Sequence, residues 1–561
     1  MHIVNQQHSN AMQVITSTPL SGTARYFSRP VTYRWLISIA VAALLTLAFN
    51  QILLRHILLL GSWALLWPLL ALLFLINVLL CQLLSIGALQ KPWLITLLGM
   101  AAGSQYFMQQ YGVLIDKGML VNALETDSHE VAGLLSYAML PYFALYLLLP
   151  ASLIIWLKPR QLSFGRGLQH YITTSLVSVA LLVLLVLTQY QSYAGILREH
   201  RYLKHQAVPL NILNASASLL QSKTAQGMAP NFSYYAADAS RVSHQGKPKL
   251  IIMVLGETIR ADHLGINGYP RDTTPRLARR DIINFGAIDA CGTATAVSVP
   301  CMFSYLNHSN YDETLAKNSD NLLDVLQRAG VKVLWRNNNS GCKSMCDRVE
   351  TDHFTADNPY NCAEGQCPDR VLLHNLKQRI LDSKPYHQPV FIVLHQLGAH
   401  GPEYFKRSLP AQKAFLPECS SNLLNQCERQ HIVNAYDNAV IATDELLDET
   451  IALLEQLNSE FDTAMLYVSD HGESLGENGV YLHGLPYWMA PAAQTRVPML
   501  MWFSDGYKKA LALNTDCLKR TEKVSHDNLF DSVLSLYEVK TNAKRPELDI
   551  ITPCLLHKAR G

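Results

Sequence analysis

The sequence predicts two parts of different class: a membrane α-helical domain of five spans, and an α/β domain with a mostly parallel sheet and helices on both faces. Three observations carry this. Residues 31–190 are almost continuously apolar, whereas residues 249–561 alternate strand-like with helix-like runs. Two acidic clusters, at Glu257 and at Asp470-His471, end strand-like runs more than 200 residues apart. Of 11 cysteines, 10 lie after residue 290.

Crossing a bilayer takes about 20 apolar residues. Stretches near 35–54, 66–89, 93–112, 134–157 and 171–190 meet that length. The run from Ile57 to Leu89 is longer than one span needs, so its first part is expected along the membrane surface. The first thirty residues are polar and lack a signal-peptide pattern, so the first span is expected to be an uncleaved anchor. Basic residues mark the cytoplasmic side. Arg25, Arg29 and Arg34 precede span one, Lys91 lies between spans two and three, and Lys158, Arg160 and Arg166 lie between spans four and five. With five spans all three groups fall on one side. The opposite loop, 113–131, carries Asp116, Glu125, Asp127 and Glu130 against Lys117. Arg198, Arg201 and Lys204 after span five oppose this orientation, and the cysteines decide against them. The ten fall as near neighbours, Cys291 with Cys301, Cys342 with Cys346, Cys362 with Cys367, Cys419 with Cys427, and then Cys517 with Cys554, while Cys81 stands apart in a span. An even, clustered set in a large domain suggests disulfides and an oxidising compartment such as the periplasm. The zinc-binding alternative, Cys-x-x-Cys, occurs nowhere.

The chain therefore divides into a five-span domain (1–190), a linker (191–248) rich in Ser, Ala and Asn, and a periplasmic catalytic domain (249–561). In the last, strands are expected at 250–255, 331–335, 389–394, 464–468 and 498–503, with helix-like runs at 321–329, 370–381 and 430–457. Strands alternating with helices imply the parallel sheet.

Strand ends at the carboxyl edge of such a sheet are where sites are built. Glu257, Asp470 and His471 each follow a strand, and oxygen with nitrogen ligands suits a catalytic zinc. A lone carboxylate there is more often a helix cap; the pair of clusters shifts the balance. Between them lies Cys291-Gly-Thr-Ala-Thr-Ala-Val-Ser-Val-Pro-Cys301, a small-residue loop opening a helix near Thr295. A hydroxyl at that place is usually an N-cap, but a metal favours its alkoxide and the helix N-terminus offers N–H groups to a phosphoryl oxygen. Thr293, Thr295 and Ser298 stand level as nucleophiles by this reasoning. His395 and His400 follow one strand, and His483 follows Gly-Glu-Asn-Gly-Val-Tyr-Leu; beside a metal site they suggest phosphate binding or proton transfer rather than packing. Lys343, pinned between Cys342 and Cys346, is placed to face a phosphate. Asn122, Thr126 and Glu130, at i, i+4 and i+8, share a helix face and become candidates for an amine headgroup.

The strings Gly-Glu-Thr-Ile-Arg-Ala-Asp (256–262), Asn-Gly-Tyr-Pro-Arg-Asp-Thr (267–273), Cys-Gly-Thr-Ala-Thr-Ala-Val-Ser-Val-Pro-Cys-Met-Phe-Ser (291–304) and Ser-Asp-His-Gly-Glu-Ser-Leu-Gly-Glu-Asn-Gly (469–479) resemble the lipid A phosphoethanolamine transferases, relatives of the mobile colistin-resistance transferases. The resemblance covers about residues 30–555. It implies an alkaline-phosphatase-like catalytic half and zinc held by Glu257, Thr295, Asp470 and His471, and it selects Thr295 as nucleophile. It further implies that Lys343, His400, His483 and Asn339 contact the phosphoethanolamine group and that Asn122, Thr126 and Glu130 lie near the lipid headgroup. The disulfide pattern of the chromosomal enzymes implies the bridges Cys291–Cys301, Cys342–Cys346, Cys362–Cys367, Cys419–Cys427 and Cys517–Cys554.

The expected function is transfer of phosphoethanolamine from phosphatidylethanolamine to a lipid A phosphate through a threonine intermediate, at the bacterial inner membrane. The product lowers surface negative charge, and polymyxin resistance is the phenotype the resemblance implies. Donor, acceptor and membrane lipids are the expected partners, with no nucleic acid, and the chain is expected to be a monomer. A sulfatase would need arginine after Ser298-Val-Pro-Cys, where Met302 stands. Phosphoglycerol transfer, or transfer to glucans or core sugars, is a rival within the fold. A transporter fits poorly, because ionisable residues inside the spans are few.

Overall fold

The computed structural model describes residues 29–59, 63–85, 87–125, 128–226, 232–241, 246–354, 362, 367–382 and 388–556. Arg25, Thr126 and Asp127 lie outside them.

Helices occupy all five expected stretches: α1 (Arg34–Ala48) with α2 (Gln51–Leu59), α3 (Trp63–Gln82), α4 (Gln90–Tyr111), then, after α5 (Lys117–Glu125) and α6 (Ser128–Leu134), α7 (Met139–Trp156) and α8 (Phe164–Glu199). Five spans do not follow directly. Among the described residues, Met139–Trp156 and Phe164–Gln189 alone are long and apolar enough to cross a membrane, and α1–α2, bent by 49°, is a third if read as one span. The apolar part of α3 is the shorter Leu66–Gln82, and Ser104, Gln105, Gln109 and Gln110 make the end of α4 polar. The bend after α1 has a local cause. Buried Asn50 donates to the Leu45 carbonyl (2.9 Å) and pairs with both backbone groups of Val208, at 2.9 Å each. The two most apolar helices leave Leu148, Leu149, Leu153, Leu184 and Leu187 exposed, as lipid-facing helices do. The basic groups expected on one side do meet. Lys91 donates to the carbonyls of Ile155 (2.8 Å) and Leu157 (2.7 Å), Arg34 donates to Gly87, and Lys158 pairs with Val31. The expected linker is largely helical instead: α8 continues to Glu199 and α9 spans Leu210–Gln226.

The second half is built on a seven-stranded sheet: β1 (Lys249–Gly256), β2 (Ile283–Asp289), β3 (Lys332–Asn337), β4 (Glu350–His353), β5 (Val390–His395), β6 (Asp462–Ser469) and β7 (Arg496–Phe503). Their spatial order is β2-β7-β6-β1-β5-β3-β4. β7 pairs antiparallel with both neighbours and every other pairing is parallel. All five expected strands are present; the edge strands β2 and β4 were not expected. Central β1 shows why the sheet has helices on both sides. Ile251, Met253 and Leu255 join one apolar core, with α10 (Thr295–Phe303), while Leu250, Ile252 and Val254 join the other, with α11 (Arg429–Gln456). Both faces of the strand are buried, so its sequence reads as a continuous apolar run.

All ten cysteines of this half are paired as expected. Cys291–Cys301 brackets the start of α10, and Cys342–Cys346 closes the loop after β3. Cys362–Cys367 and Cys419–Cys427 close two further short loops, 5 and 8 positions apart. Cys517–Cys554, at 37 positions the widest of the five, ties the C-terminal segment back to the helix Thr515–Lys519. Cys81 is free and buried.

Candidate active site

Strand register brings the ligand-type residues together. β1 lies between β5 and β6, with Leu255 opposite His395 and Gly256 opposite Ser469. The next residues along, Glu257 and Asp470, therefore emerge side by side at the carboxyl edge. Two glycines permit this close approach. Gly398 adopts φ +55°, and a Cβ there would lie 2.4 Å from the Glu257 carbonyl; a Cβ on Gly472 would lie 2.0 Å from that of Ala493. Thr258, directly after Glu257, also has a left-handed backbone (φ +59°), a rare conformation for a β-branched residue that clusters at functional sites.

Glu257, Asp470 and His471 are fully buried, and their ligand atoms lie within 4.8 Å of one another. His471 Nε2 is 3.3 Å from Glu257 Oε1 and 3.3 Å from Asp470 Oδ2. Its Nδ1 sits 3.0 Å from the Gly472 carbonyl, which turns Nε2 inward. Thr295 Oγ1 lies 3.0 and 3.1 Å from the Glu257 oxygens and 3.2 Å from His471 Nε2. Asp470 Oδ1 accepts from the N–H groups of His471 (2.7 Å) and Thr258 (3.2 Å), but its buried Oδ2 has no hydrogen-bond partner. Burial, then the Glu257 charge, raises the Asp470 carboxyl. Burial opposes the imidazolium of His471, yet Asp470 and Glu257 outweigh it and lift the ring to about 10. Two buried carboxylates, one of them with an unpartnered oxygen, an imidazole and a hydroxyl thus crowd together, and this donor set fits zinc.

The three hydroxyls of the loop part company here. Thr293 donates to the Leu485 carbonyl (2.6 Å) and Ser298 to that of Asp470 (2.5 Å), so both are structural. Thr295 opens α10, whose first turn has no side-chain cap. The loop is closed by Cys291–Cys301 and tied to β6 through His526, which accepts from the Cys291 N–H (3.0 Å) and donates to the Ser469 carbonyl (2.9 Å). Burial lowers that ring to about 4, which suits its neutral role.

His483 and His400 stand beside this cluster, with ring centres 4.3 Å between His471 and His483 and 5.2 Å between His400 and His483. Desolvation, then each one's histidine neighbour, holds both well below the usual imidazole range. Glu473, not singled out by the sequence reasoning, is fully buried and accepts from Tyr404 (2.6 Å) while its other oxygen lies 2.7 Å from His483 Nδ1. Burial raises its carboxyl to about 8, and this carboxyl and His483 Nδ1 share one short hydrogen bond. In the sequence, only its place two residues past His471 sets Glu473 apart. His395 packs on Trp335, and its Nδ1 lies 2.9 Å from Asn337 Oδ1.

On the opposite side, Asn339 donates to Glu257 Oε2 (2.8 Å) and the Gln396 carbonyl (2.7 Å), so it orients the carboxylate. Lys343, with φ +51° in the Cys342–Cys346 loop, reaches the Ser340 carbonyl and hydroxyl at 3.2 Å each and the Glu125 carbonyl of α5 at 3.3 Å. Lys317 bonds the Glu125 carboxylate at 3.2 Å. Asn122, on α5, lines a cavity shared with His400 and His483. Thr126 and the Glu130 side chain lie outside the described residues.

Comparison with known proteins matches this architecture. The sulfatase family profile matches residues 249–539, and the profile described as phosphoethanolamine transferase EptA/EptB matches residues 73–224. The chain is 38% identical over 474 residues to phosphoethanolamine transferase EptA of Escherichia coli K12, covering 83% of this chain and 86% of that protein. It is 39% identical over 465 residues to phosphatidylethanolamine transferase Mcr-1 of Escherichia coli, covering 80% and 84%. The solved integral membrane lipooligosaccharide phosphoethanolamine transferase A of Neisseria meningitidis superposes with a TM-score of 0.89 at 32% identity, covering 94% of this chain and 99% of that one.

Proposed function

The chain belongs to the EptA/Mcr-like phosphoethanolamine transferases, and from that membership we propose that it carries phosphoethanolamine from phosphatidylethanolamine to a phosphate of lipid A through a covalent adduct on Thr295. One observation carries the choice of nucleophile: of the three loop hydroxyls, Thr295 alone contacts both Glu257 and His471. Zinc held by Glu257, Thr295, Asp470 and His471 supplies positive charge that favours an ionised hydroxyl and draws charge from a phosphoryl oxygen.

The remaining work falls to the chain. In the first step Thr295 Oγ1 bonds to phosphorus while the bond from phosphorus to the glycerol oxygen breaks. Glu257, 3.0 Å away, accepts the threonine proton. His483 gives its Nε2 proton to the departing glycerol oxygen as the Glu473 proton passes to Nδ1. In the second step an oxygen of the acceptor phosphate bonds to phosphorus, Thr295 leaves and recovers its proton from Glu257, and the proton of the acceptor phosphate restores the His483–Glu473 pair. The first-turn N–H groups of α10 and the Lys343 ammonium offset phosphoryl charge, with His400 and Asn339 completing the wall. Asn122, Thr126 and Glu130 hold the ammonium end of the headgroup. A relay through one hydroxyl spares the site from holding two bulky lipids together.

The supporting placement is an inner-membrane protein of five spans with a cytoplasmic N-terminus and residues 191–561 in the periplasm. Helices α3 and α4 are counted as spans because Val78, Leu97, Leu98 and Ala101 share one core with Val41 and Leu45 of α1. Five disulfides favour the oxidising side for the catalytic half, and the Arg34–Lys91–Lys158 end is the cytoplasmic one. The added ammonium lowers the negative charge that attracts cationic peptides, hence polymyxin resistance. Mass spectrometry of lipid A from cells with and without the protein tests the reading. A phosphoethanolamine mass increment on lipid A is expected only when the protein is present; unmodified lipid A alongside a modified glucan or core sugar would refute it.

A further inference from the structure

Asp369 follows the Cys362–Cys367 bridge and lies between β4 and β5, outside the motifs read from the sequence. Its carboxylate accepts four hydrogen bonds, and both oxygens take part. Oδ1 accepts from Asn338 Nδ2 (2.7 Å) and from the Leu397 N–H (2.7 Å). Oδ2 accepts from the Gly398 N–H (2.8 Å) and from Gln396 Nε2 (3.3 Å). One donor thus comes from the turn after β3, and the others come from the turn after β5. Each oxygen takes a backbone N–H, so an amide in place of this carboxylate would set an NH2 group against one of them.

These are the two turns that hold Glu257. In the first, Asn339, next to Asn338, donates to Glu257 Oε2 (2.8 Å) and across to the Gln396 carbonyl of the second (2.7 Å). In the second, the N–H of Ala399, next to Gly398, donates to the Glu257 carbonyl (3.1 Å). Arg407 Nε holds the end of that turn through the His400 carbonyl (2.8 Å). The side chain and the backbone of Glu257 are each gripped by a neighbour of a residue that Asp369 binds. We infer that Asp369 is a positioning residue for the transfer: it locks the turns after β3 and β5 together and so aims the Glu257 carboxylate at Thr295 and the metal position. The inference rests on the reading of Glu257 as zinc ligand and acceptor of the Thr295 proton. A carboxylate that serves the fold alone is available for comparison. Asp444, buried on α11, accepts from the N–H groups of Arg276 and Leu277 at 3.0 Å each, and Leu277 packs in one apolar core with Leu446 and Leu447.

The test compares full-length Asp369→Asn with full-length Asp444→Asn in detergent micelles. Zinc affinity is read by competition with a chromophoric chelator, transfer as kcat and KM for phosphatidylethanolamine, and stability as Tm of the metal-free protein. Outer partners of a metal ligand typically matter about 10–100-fold, so Asp369→Asn should weaken zinc affinity and lower kcat by about tenfold or more, with KM little changed. Asp444→Asn should lower Tm and leave zinc affinity and kcat unchanged. Asn338→Ala removes one bond to Asp369 and leaves its carboxylate in place; it should weaken zinc affinity several-fold, and it decides the matter if Asp369→Asn does not fold. Combining Asp369→Asn with Asn339→Ala should cost less than the product of the single losses, because both act on one carboxylate. Wild-type zinc affinity in Asp369→Asn and in Asn338→Ala overturns the inference. So does an equal loss of zinc affinity in Asp369→Asn and Asp444→Asn, which would make Asp369 one more support of the fold. The zinc measurement needs no turnover: if the wild-type protein binds zinc yet moves no phosphoethanolamine, the transferase reading fails while Asp369 is still judged by zinc affinity.

Discussion

At the carboxyl edge of the sheet, Glu257, Asp470 and His471 are fixed by strand register and fully buried. At the membrane-facing side, Lys343 and Asn122 are half-buried, and Lys343 meets α5 across 218 positions of sequence through a single carbonyl contact. The first region is built from backbone that has one arrangement. The second is built where a loop of the catalytic half touches a helix of the membrane half. The contrast teaches two ways of building: the carboxylate–histidine cluster is held by the sheet, and the Lys343–Asn122 side is assembled between the halves. Substitutions should therefore act differently in the two regions.

The largest loss is expected from Asp470→Ala. It removes the orphaned Oδ2 together with the bonds to Thr258 and His471. Zinc content, read by atomic emission, should fall with transfer, which should drop below detection. Chelation of the wild-type protein should do the same, with zinc restoring activity; full transfer by a metal-free Asp470→Ala would break the contrast at its stronger end. Next, Asn339→Ala deletes the donor to Glu257 Oε2. Losing such an outer partner typically costs about 10–100-fold in metal affinity or activity, and a zinc titration should show it. On the membrane-facing side, Lys343→Ala should lower kcat/KM about tenfold with zinc content unchanged; loss of zinc there would merge the two regions. Smallest is Lys317→Ala, which removes a partly exposed ion pair to Glu125. Such pairs contribute about 0–1 kcal/mol, so transfer should change no more than a few-fold, read as KM for the donor.

The same contrast explains what was legible in the sequence. Leu250–Leu255 and Ala464–Val468 read as strands because both faces are buried, and the residues at their ends, Glu257, Asp470 and His471, do come together. Cysteine spacing was equally informative, since four of the five bridges, Cys517–Cys554 excepted, close loops of ten positions or fewer. The edge strands β2 and β4 escaped notice because their burial is mixed: Phe285 is only partly buried and Ala287 exposed. The tie among Thr293, Thr295 and Ser298 could not be broken by spacing, since all three are buried small hydroxyls; carbonyl partners from Leu485 and Asp470, distant in sequence, distinguish them. Glu473 was missed because its role depends on Tyr404 and His483, which only the fold brings to it. The span count rested on hydropathy alone, and the polar end of α4 shows how a helix lining a cavity departs from that pattern. The segment after residue 190 looked like a linker because its helices carry mixed side chains, yet α9 supplies Ile212 to the cavity wall.

The central claim is that Thr295, not zinc alone, carries the group between lipids. The direct measurement is peptide mass spectrometry after incubating the zinc-loaded protein with phosphatidylethanolamine and no acceptor. One added phosphoethanolamine on the peptide containing Thr295 is predicted, discharged when lipid A is supplied and absent from a folded Thr295→Ala variant. Transfer by that variant at a rate comparable with wild type, with no adduct on any residue, would contradict the account and replace the relay with direct lipid-to-lipid transfer.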